Sequence, residues 1–311
     1  MKLTTTPYGT RATAAEVIEG LDLTGRRMIV TGGASGLGAE TVRALAGAGA
    51  QVTIATRNPA IAQPLLEELP GTRAVALDLS DLASVRAFCA DWSGPVDALI
   101  ANAGVMMLPT REVNAQGWEM QLATNYLGHF ALAAGLHSAL QAAERPRVVV
   151  LSSGAQLRAG FDFDDPQFDQ RPYDPFLAYA QSKTADVLLA VGISRRWAED
   201  GITANACAPG WIHTNLTRHI DRATMQALGA MDADGNLLTP DYYKTPAQGA
   251  ATTVLLAASP LVEGVTGQYF EDNQQAEIVD GGPEPMAGVA KWAIDPTAAD
   301  RLWDHASPFV N

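Results

Sequence analysis

Cysteine is nearly absent from this 311-residue chain: Cys89 and Cys207 are the only two, far apart and outside any CxxC pattern. That pattern excludes a disulfide framework, and both read as small buried hydrophobes in a reducing compartment. Positive charge is scarce. Lys and Arg number 21 against 34 Asp and Glu, a net charge of −13, which argues against a nucleic-acid partner because phosphates need a basic surface. No apolar run approaches the ~18 residues a membrane span needs. No apolar stretch follows Lys2, so the start does not read as a secretory signal. The five histidines have no metal-ligand spacing, and the acidic run 162–169 lacks the calcium-loop pattern, so no metal is expected. Repeats and low-complexity linkers are missing too. These absences leave an ordinary cytoplasmic protein.

What is present is an alternation of short apolar runs with amphipathic stretches. Strands are predicted at Arg27–Thr31, Gln51–Thr56, Arg73–Leu77, Val96–Ala101, Arg147–Leu151, Ile202–Ala208 and Gly267–Phe270. Helices are predicted at 39–48, from a Ser80-Asp81 cap to about Trp92, at 117–143, from Pro175 to about Glu199, and at 246–258. This spacing gives right-handed βαβ units: an α/β fold with a doubly wound parallel sheet of about seven strands and helices on both faces. The chain reads as one domain, 1–311, with an amino-terminal extension (1–24). Two insertions, 154–175 and 211–245, are long enough to serve as binding loops. Ligands of such sheets bind at the carboxyl ends of the strands. Thr31, Thr56, Asp78, Asn102, Ser153 and Pro209 all fall at or just past those ends.

The turn Thr31-Gly32-Gly33-Ala34-Ser35-Gly36-Leu37-Gly38 joins an apolar strand to a helix. Gly32 permits the tight turn, Gly36 lets backbone approach phosphate, and Gly38 lets the helix pack on the strand. The helix start then offers free N–H groups to a pyrophosphate. At the end of the second strand an NAD enzyme usually carries Asp or Glu for the ribose hydroxyls. Here that place is Thr56, followed by Arg57. A missing carboxylate removes repulsion of a 2′-phosphate, and an arginine can bond it. NADP(H) is therefore expected over NAD(H), which stays possible.

Tyr179 and Lys183 lie four residues apart, on one face of a helix. A cation beside a phenol favours the phenolate, so Tyr179 is expected to have a lowered pKa and to exchange protons near neutral pH.

Together these residues resemble the short-chain dehydrogenase/reductase superfamily of single-domain Rossmann folds. The marks are Thr31-Gly32-xxx-Gly36-x-Gly38, Asp78, Asn102-Ala103-Gly104, Asn125, Ser152-Ser153, Tyr179-xxx-Lys183 and Pro209-Gly210-xxx-Thr214. Asn125-Tyr-Leu-Gly-His-Phe130, the insert starting at Phe161 and Gly267-Gln-Tyr-Phe-Glu-Asp272 resemble the branch of retinol dehydrogenases and WW-domain oxidoreductases. The resemblance implies a hydride-transferring oxidoreductase of a carbonyl/alcohol pair on a mostly apolar small molecule. Tyr179 is then the general acid or base, Ser153 the bond to the substrate oxygen, and Lys183 the partner of Tyr179 and of the nicotinamide ribose. Asn125 is the holder of a relay water. It also implies cofactor contacts from Ser35, Leu37, Asp78 and Leu79, from Asn102, Ala103 and Gly104, and from Pro209, Gly210, Ile212 and Thr214. Gln156 stands where the branch often has histidine, which bears on substrate identity. His213, His219, Met106 and Met107 are candidates for the substrate mouth, with surface or core roles as the alternatives. Reduction of a conjugated C=C bond, or a non-catalytic cofactor sensor, are the competing readings. The resemblance further implies a homodimer or homotetramer built through the helices at 117–143 and 175–199.

Overall fold

Short apolar runs become strands here because helices cover both faces of the sheet they form. The computed structural model describes residues 3–214, 216, 220, 222–227 and 229–310. The main strands are β1 (Arg27–Thr31), β2 (Gln51–Thr56), β3 (Arg73–Ala76), β4 (Ala98–Ala101), β5 (Arg147–Leu151), β6 (Thr203–Ala208) and β7 (Tyr269–Glu271). All seven pair in parallel, and β8 (Gln274–Gln275) adds an antiparallel edge. The order is β3-β2-β1-β4-β5-β6-β7-β8, so the winding direction reverses between β1 and β4. Two further short strands, β9 (Ile278–Val279) and β10 (Val289–Ala290), pair apart from this sheet.

The helices are α1 (Ala14–Ile18), α2 (Gly36–Gly47), α3 (Gln63–Glu68), α4 (Leu82–Ala90), α5 (Met120–Leu122), α6 (Gly128–Gly135), α7 (His137–Gln141) and α8 (Pro175–Arg196). They are followed by α9 (Arg222–Ala227), α10 (Pro246–Gly249), α11 (Ala251–Ala258) and α12 (Pro296–Val310). Successive strand residues feed opposite cores, as the pleat requires. Ile29 joins the core under α4, α6 and α8, while Met28 and Val30 join the core under α1, α2 and α11.

Several predicted boundaries shift. The long helix expected at 117–143 is α5, a π turn at Ala123–Leu127, α6 and α7. Gly117 has φ +81°, and Glu119 caps α5 by accepting from the Leu122 N–H, so the helix starts later. Gly128 lies so close to the Leu79 carbonyl that a Cβ there would sit 2.1 Å from its oxygen. The late helix splits at Ala250 into α10 and α11. The third strand stops at Ala76, the fourth starts at Ala98, and the seventh spans Tyr269–Glu271.

Five features of the fold lay outside the prediction: α1, α3, β8, the β9–β10 pair and α12. Helix α12 packs along α8 and α6. Trp303 meets Phe130 edge-on at 4.6 Å and Trp197 at 5.5 Å, while Trp118 meets Phe309 at 5.3 Å. Every residue of α8 from Ala178 to Ile193 is buried within the single chain. Helix α12 thus covers part of α8, one of the two helices through which the family resemblance implies subunit contacts. The amino-terminal extension is tied down as well: Thr4 and Thr6 bond Gln275 and Gln274, and Arg11 donates to the Tyr243 carbonyl.

Candidate active site

The carboxyl ends of β1, β4, β5 and β6 converge where the winding reverses, which is where a doubly wound sheet opens a crevice. The β1–α2 turn occupies its centre. Gly32 and Gly36 have φ of +64° and +54°, a region that favours glycine. A Cβ on Gly38 would lie 2.4 Å from the Gly32 carbonyl oxygen, so helix and turn touch with no room for a side chain. Ser35, at the N-cap, makes no side-chain capping bond, and Ser35 and Gly36 are exposed. The first N–H groups of this 12-residue helix therefore face outward, as an anion site needs.

Neighbouring strand ends are stitched to this turn. The Thr31 hydroxyl accepts from the Asn102 and Ala103 N–H groups, each at 2.9 Å, and the Asn102 amide donates to the Thr31 carbonyl at 2.7 Å. After β2, Arg57 is exposed and makes no ion pair among the described residues, whereas Arg43 nearby in sequence is held by Glu40 and Glu68. Asp78 accepts from the Ser80 N–H and hydroxyl, so it shapes the turn before α4, while Asp81 is the actual cap. Leu79 is buried against Gly128.

The proposed chemical groups come from the π turn, the end of β5 and α8. Asn125, fully buried, accepts from the Val105 N–H at 2.8 Å and donates to the Val105 carbonyl and the Ser182 hydroxyl. Its amide is thereby spent on clamping the Asn102–Val105 turn to α8. A π turn at a functional position is a recurrent device, since it re-aims one side chain without breaking the helix. His129 braces the same turn, which the sequence reading did not anticipate. Its Nδ1 bonds the Asn125 carbonyl at 2.7 Å and its Nε2 bonds the Thr31 hydroxyl at 2.8 Å. A carbonyl only accepts, so Nδ1 carries the proton and Nε2 accepts from Thr31. Burial lowers the His129 pKa to about 4, which keeps the ring neutral.

Ser153 lies two residues past β5 and accepts from the Ala155 N–H, while the adjacent Ser152 donates to the Lys183 carbonyl and is structural. Tyr179 is 5% exposed, and Lys183 Nζ lies 5.9 Å from its ring centroid. The phenol departs from the expectation of a lowered pKa. Burial raises it, and this outweighs the downward pull of the Lys183 charge and of the Ser153 hydrogen bond, with Asp186 adding a smaller upward push. Lys183 Nζ donates to the Leu151 carbonyl at 2.9 Å and to Asp186 Oδ2 at 2.7 Å. Burial pushes Lys183 down, but Asp186 and Tyr179 more than offset it, so the ammonium stays charged. Asp186, 1% exposed, is the group that sequence reasoning missed. The signal was there: it follows Lys183 by three residues and shares its helix face.

After β6, Gly210 has φ +90°, and a Cβ on it would meet the Lys244 side chain at 3.2 Å. Lys244 is 7% exposed and pairs with Asp272, which fastens the 211–245 insertion to the end of the sheet. Ile212 and Leu37 meet over Gly249, and Thr214 lies above Gly36, so the insertion reaches across the helix start. His213 stacks on Tyr243 at 4.4 Å and bonds the Leu238 carbonyl. His219 lies outside the described residues. Met106 and Met107 are half-buried, and Met107 has φ +57° with its N–H held by Gln121.

Gln156 turns away from this crevice. Its amide bonds the Gly288 carbonyl and the Ala290 N–H, tying down β10. In the 154–175 insertion, Asp165 accepts from the backbone N–H groups of Asp169, Gln170 and Arg171, organising a turn. Both cysteines are free. Cys207 is buried and Cys89 half-buried, and burial pushes their thiols up to about 12 and about 11. No described helix is long and apolar enough to cross a membrane.

Comparison with known proteins agrees with this geometry. Residues 26–224 match the family described as short chain dehydrogenase. The chain is 63% identical over 292 residues to the "Probable oxidoreductase" of Streptomyces lividans, covering 92% of this chain and 98% of that protein. It is 34% identical to human retinol dehydrogenase 14, covering 92% and 86%. Among solved structures, an uncharacterized protein from Mycobacterium paratuberculosis superposes with a TM-score of 0.73 at 31% identity, covering 96% and 97%. A gluconate 5-dehydrogenase from Burkholderia cenocepacia, solved with NADP and tartrate, gives 0.62 at 25% identity, covering 82% and 97%.

Proposed function

The chain belongs to the short-chain dehydrogenase family, and within that family of oxidoreductases we propose an NADP(H)-preferring enzyme that interconverts a carbonyl and an alcohol on a mostly apolar small molecule. The observation that carries this reading is the buried Tyr179 of α8 beside Lys183 and hydrogen-bonded to Ser153, which lies just past the end of β5.

The turn fits a dinucleotide. Gly38 admits no side chain, the α2 N–H groups face outward, and Gly36 is exposed beneath Thr214. Contacts are assigned to Gly32, Ser35, Gly36, Leu37 and Gly38, and to Asp78, Leu79, Asn102, Ala103 and Gly104. On the nicotinamide side they are assigned to Tyr179, Lys183, Pro209, Gly210, Ile212 and Thr214. Arg57 supports NADP, being exposed and free of an ion pair among the described residues. The related gluconate 5-dehydrogenase, solved with NADP, supports the same choice.

When bound, the cofactor supplies or accepts the hydride. Tyr179 gives its proton to the carbonyl oxygen in reduction and takes it from the hydroxyl in oxidation. Ser153 bonds that same oxygen and steadies the negative charge developing on it. Lys183 has three N–H donors, of which two are held by Leu151 and Asp186, leaving the third for the cofactor ribose. Asn125 keeps the Asn102–Val105 turn seated against α8. Trp211, Tyr242, Leu237 and Leu238 are exposed on the 211–245 insertion and favour an apolar substrate.

The test is Tyr179→Phe, which removes the transferable proton and little else. We expect retained fold by circular dichroism, retained NADPH binding and turnover reduced by ~100-fold or more. A fully active variant contradicts the assignment.

A further inference from the structure

We infer that Asp186 is a positioning residue for the Tyr179–Lys183 pair: its carboxylate anchors the Lys183 ammonium and offsets part of that cation's pull on the Tyr179 phenol. The inference rests on the oxidoreductase reading, and it names a residue that, beside burial, widens the pH range in which Tyr179 keeps its proton.

The geometry is specific. Asp186 Oδ2 lies 2.7 Å from Lys183 Nζ, with the two side chains 1% and 6% exposed. The other oxygen, Oδ1, is buried and has no hydrogen-bond partner. A carboxylate in that state is expensive, because an unsatisfied buried acceptor costs free energy that an apolar residue would not. Helix packing alone gives no reason for aspartate at this position, which lies between Ala185 and the buried apolar run Val187–Ile193. Its charge does have an effect. Lys183 is the cation that it neutralises, and its field also opposes ionisation of the Tyr179 phenol.

The surrounding groups leave this role to Asp186. From its own helix it faces Lys183 and Tyr179. From the crossing π turn and α6 come Tyr126, whose phenol is pushed far up by burial and by Asp186, and His129, held neutral. From β6 comes the thiol of Cys207, also neutral, and from β7 the phenol of Tyr269, pushed far up by burial and by Glu271. The charges that act on Tyr179 itself are those of Lys183 and Asp186. Burial raises its own pKa and Lys183 pulls it part of the way back, leaving it at about 7, so the ionised form depends on Lys183 remaining charged.

The consequence is a sign that can be measured. With Asp186 neutralised, Lys183 acts on the phenol uncompensated and Tyr179 ionises at lower pH. Asp186→Asn keeps an oxygen to accept from Lys183 and removes the charge. The tyrosinate ultraviolet difference band assignable to Tyr179, obtained by subtracting Tyr179→Phe in each background, is expected to shift down by about one pH unit. The pH limb of kcat/KM that reports Tyr179 is expected to shift equally. An unchanged Tyr179 titration in folded Asp186→Asn overturns the inference. Because the absorbance titration needs no substrate, it judges Asp186 independently of turnover; a wild type that reduces or oxidises no carbonyl/alcohol pair instead refutes the oxidoreductase reading. Should Asp186→Asn fail to fold, Lys183→Met is compared with Lys183→Met/Asp186→Leu. A higher denaturant midpoint for the double variant is expected, since no unpaired carboxylate is left buried. A double variant no more stable than Lys183→Met overturns the inference.

Discussion

At the scale of a single residue, the proposed cofactor preference rests on Arg57. It stands one position past the end of β2, exposed, with no carboxylate beside it among the described residues. A guanidinium in that place gains from a 2′-phosphate and nothing from a 2′-hydroxyl that a carboxylate would hold. Arg57→Ala is expected to weaken NADPH binding about tenfold and leave NADH binding unchanged, read by nicotinamide fluorescence. Equal loss for both cofactors contradicts the role. Single residues at strand ends were also the most legible part of the sequence. Gly32, Asn102 and Ser153 each sit where a strand-then-turn reading puts them, because parallel strands announce their own ends, and Tyr179 and Lys183 lie one turn apart on α8 as their spacing predicts. What could not be read was the balance of forces on them. The Lys183 charge was visible in the spacing, but the depth of burial that overrides it, and the Asp186 carboxylate beside it, depend on packing from β6, α6 and α8.

Elements show a similar division. The strands and α8 follow from apolar periodicity, and their bounds fall within a few residues of expectation. The segment 117–143 does not. Its periodicity is helical throughout, yet a π turn forms at Ala123–Leu127 and the helix breaks again at Leu136. The cause is tertiary, since Gly128 must approach the Leu79 carbonyl and Asn125 must reach both Val105 and Ser182. Helix α12 was overlooked although Ala299, Leu302 and Ala306 form a buried stripe of helical spacing. It closes the outer face of α8 with Leu302, Trp303 and Phe309. Removal of residues 296–311 strips several large apolar side chains from that face, a loss on the order of 5 kcal/mol. The truncated chain is expected to unfold at lower denaturant and to self-associate in light scattering. A truncated chain of unchanged stability and size contradicts the assigned role of α12.

The whole molecule is an eight-stranded, almost wholly parallel sheet whose reversal between β1 and β4 brings four strand ends together. Topology does most of the positioning. The glycine turn follows β1, Asn102 follows β4, Ser153 follows β5, the 211–245 insertion follows β6, and α8 brings Tyr179 and Lys183. That convergence could be read from alternation and strand-end chemistry alone. The tethering of the insertion through Lys244–Asp272 and Arg11 could not, because it joins segments far apart in sequence. The central claim is that this convergence binds a phosphorylated nicotinamide dinucleotide. Titration of the purified, full-length protein with NADPH and then NADH, followed by nicotinamide fluorescence, tests it most directly. Saturable binding with NADPH about tenfold the tighter is the expected result; binding of neither dinucleotide, or NADH the tighter of the two, would contradict it.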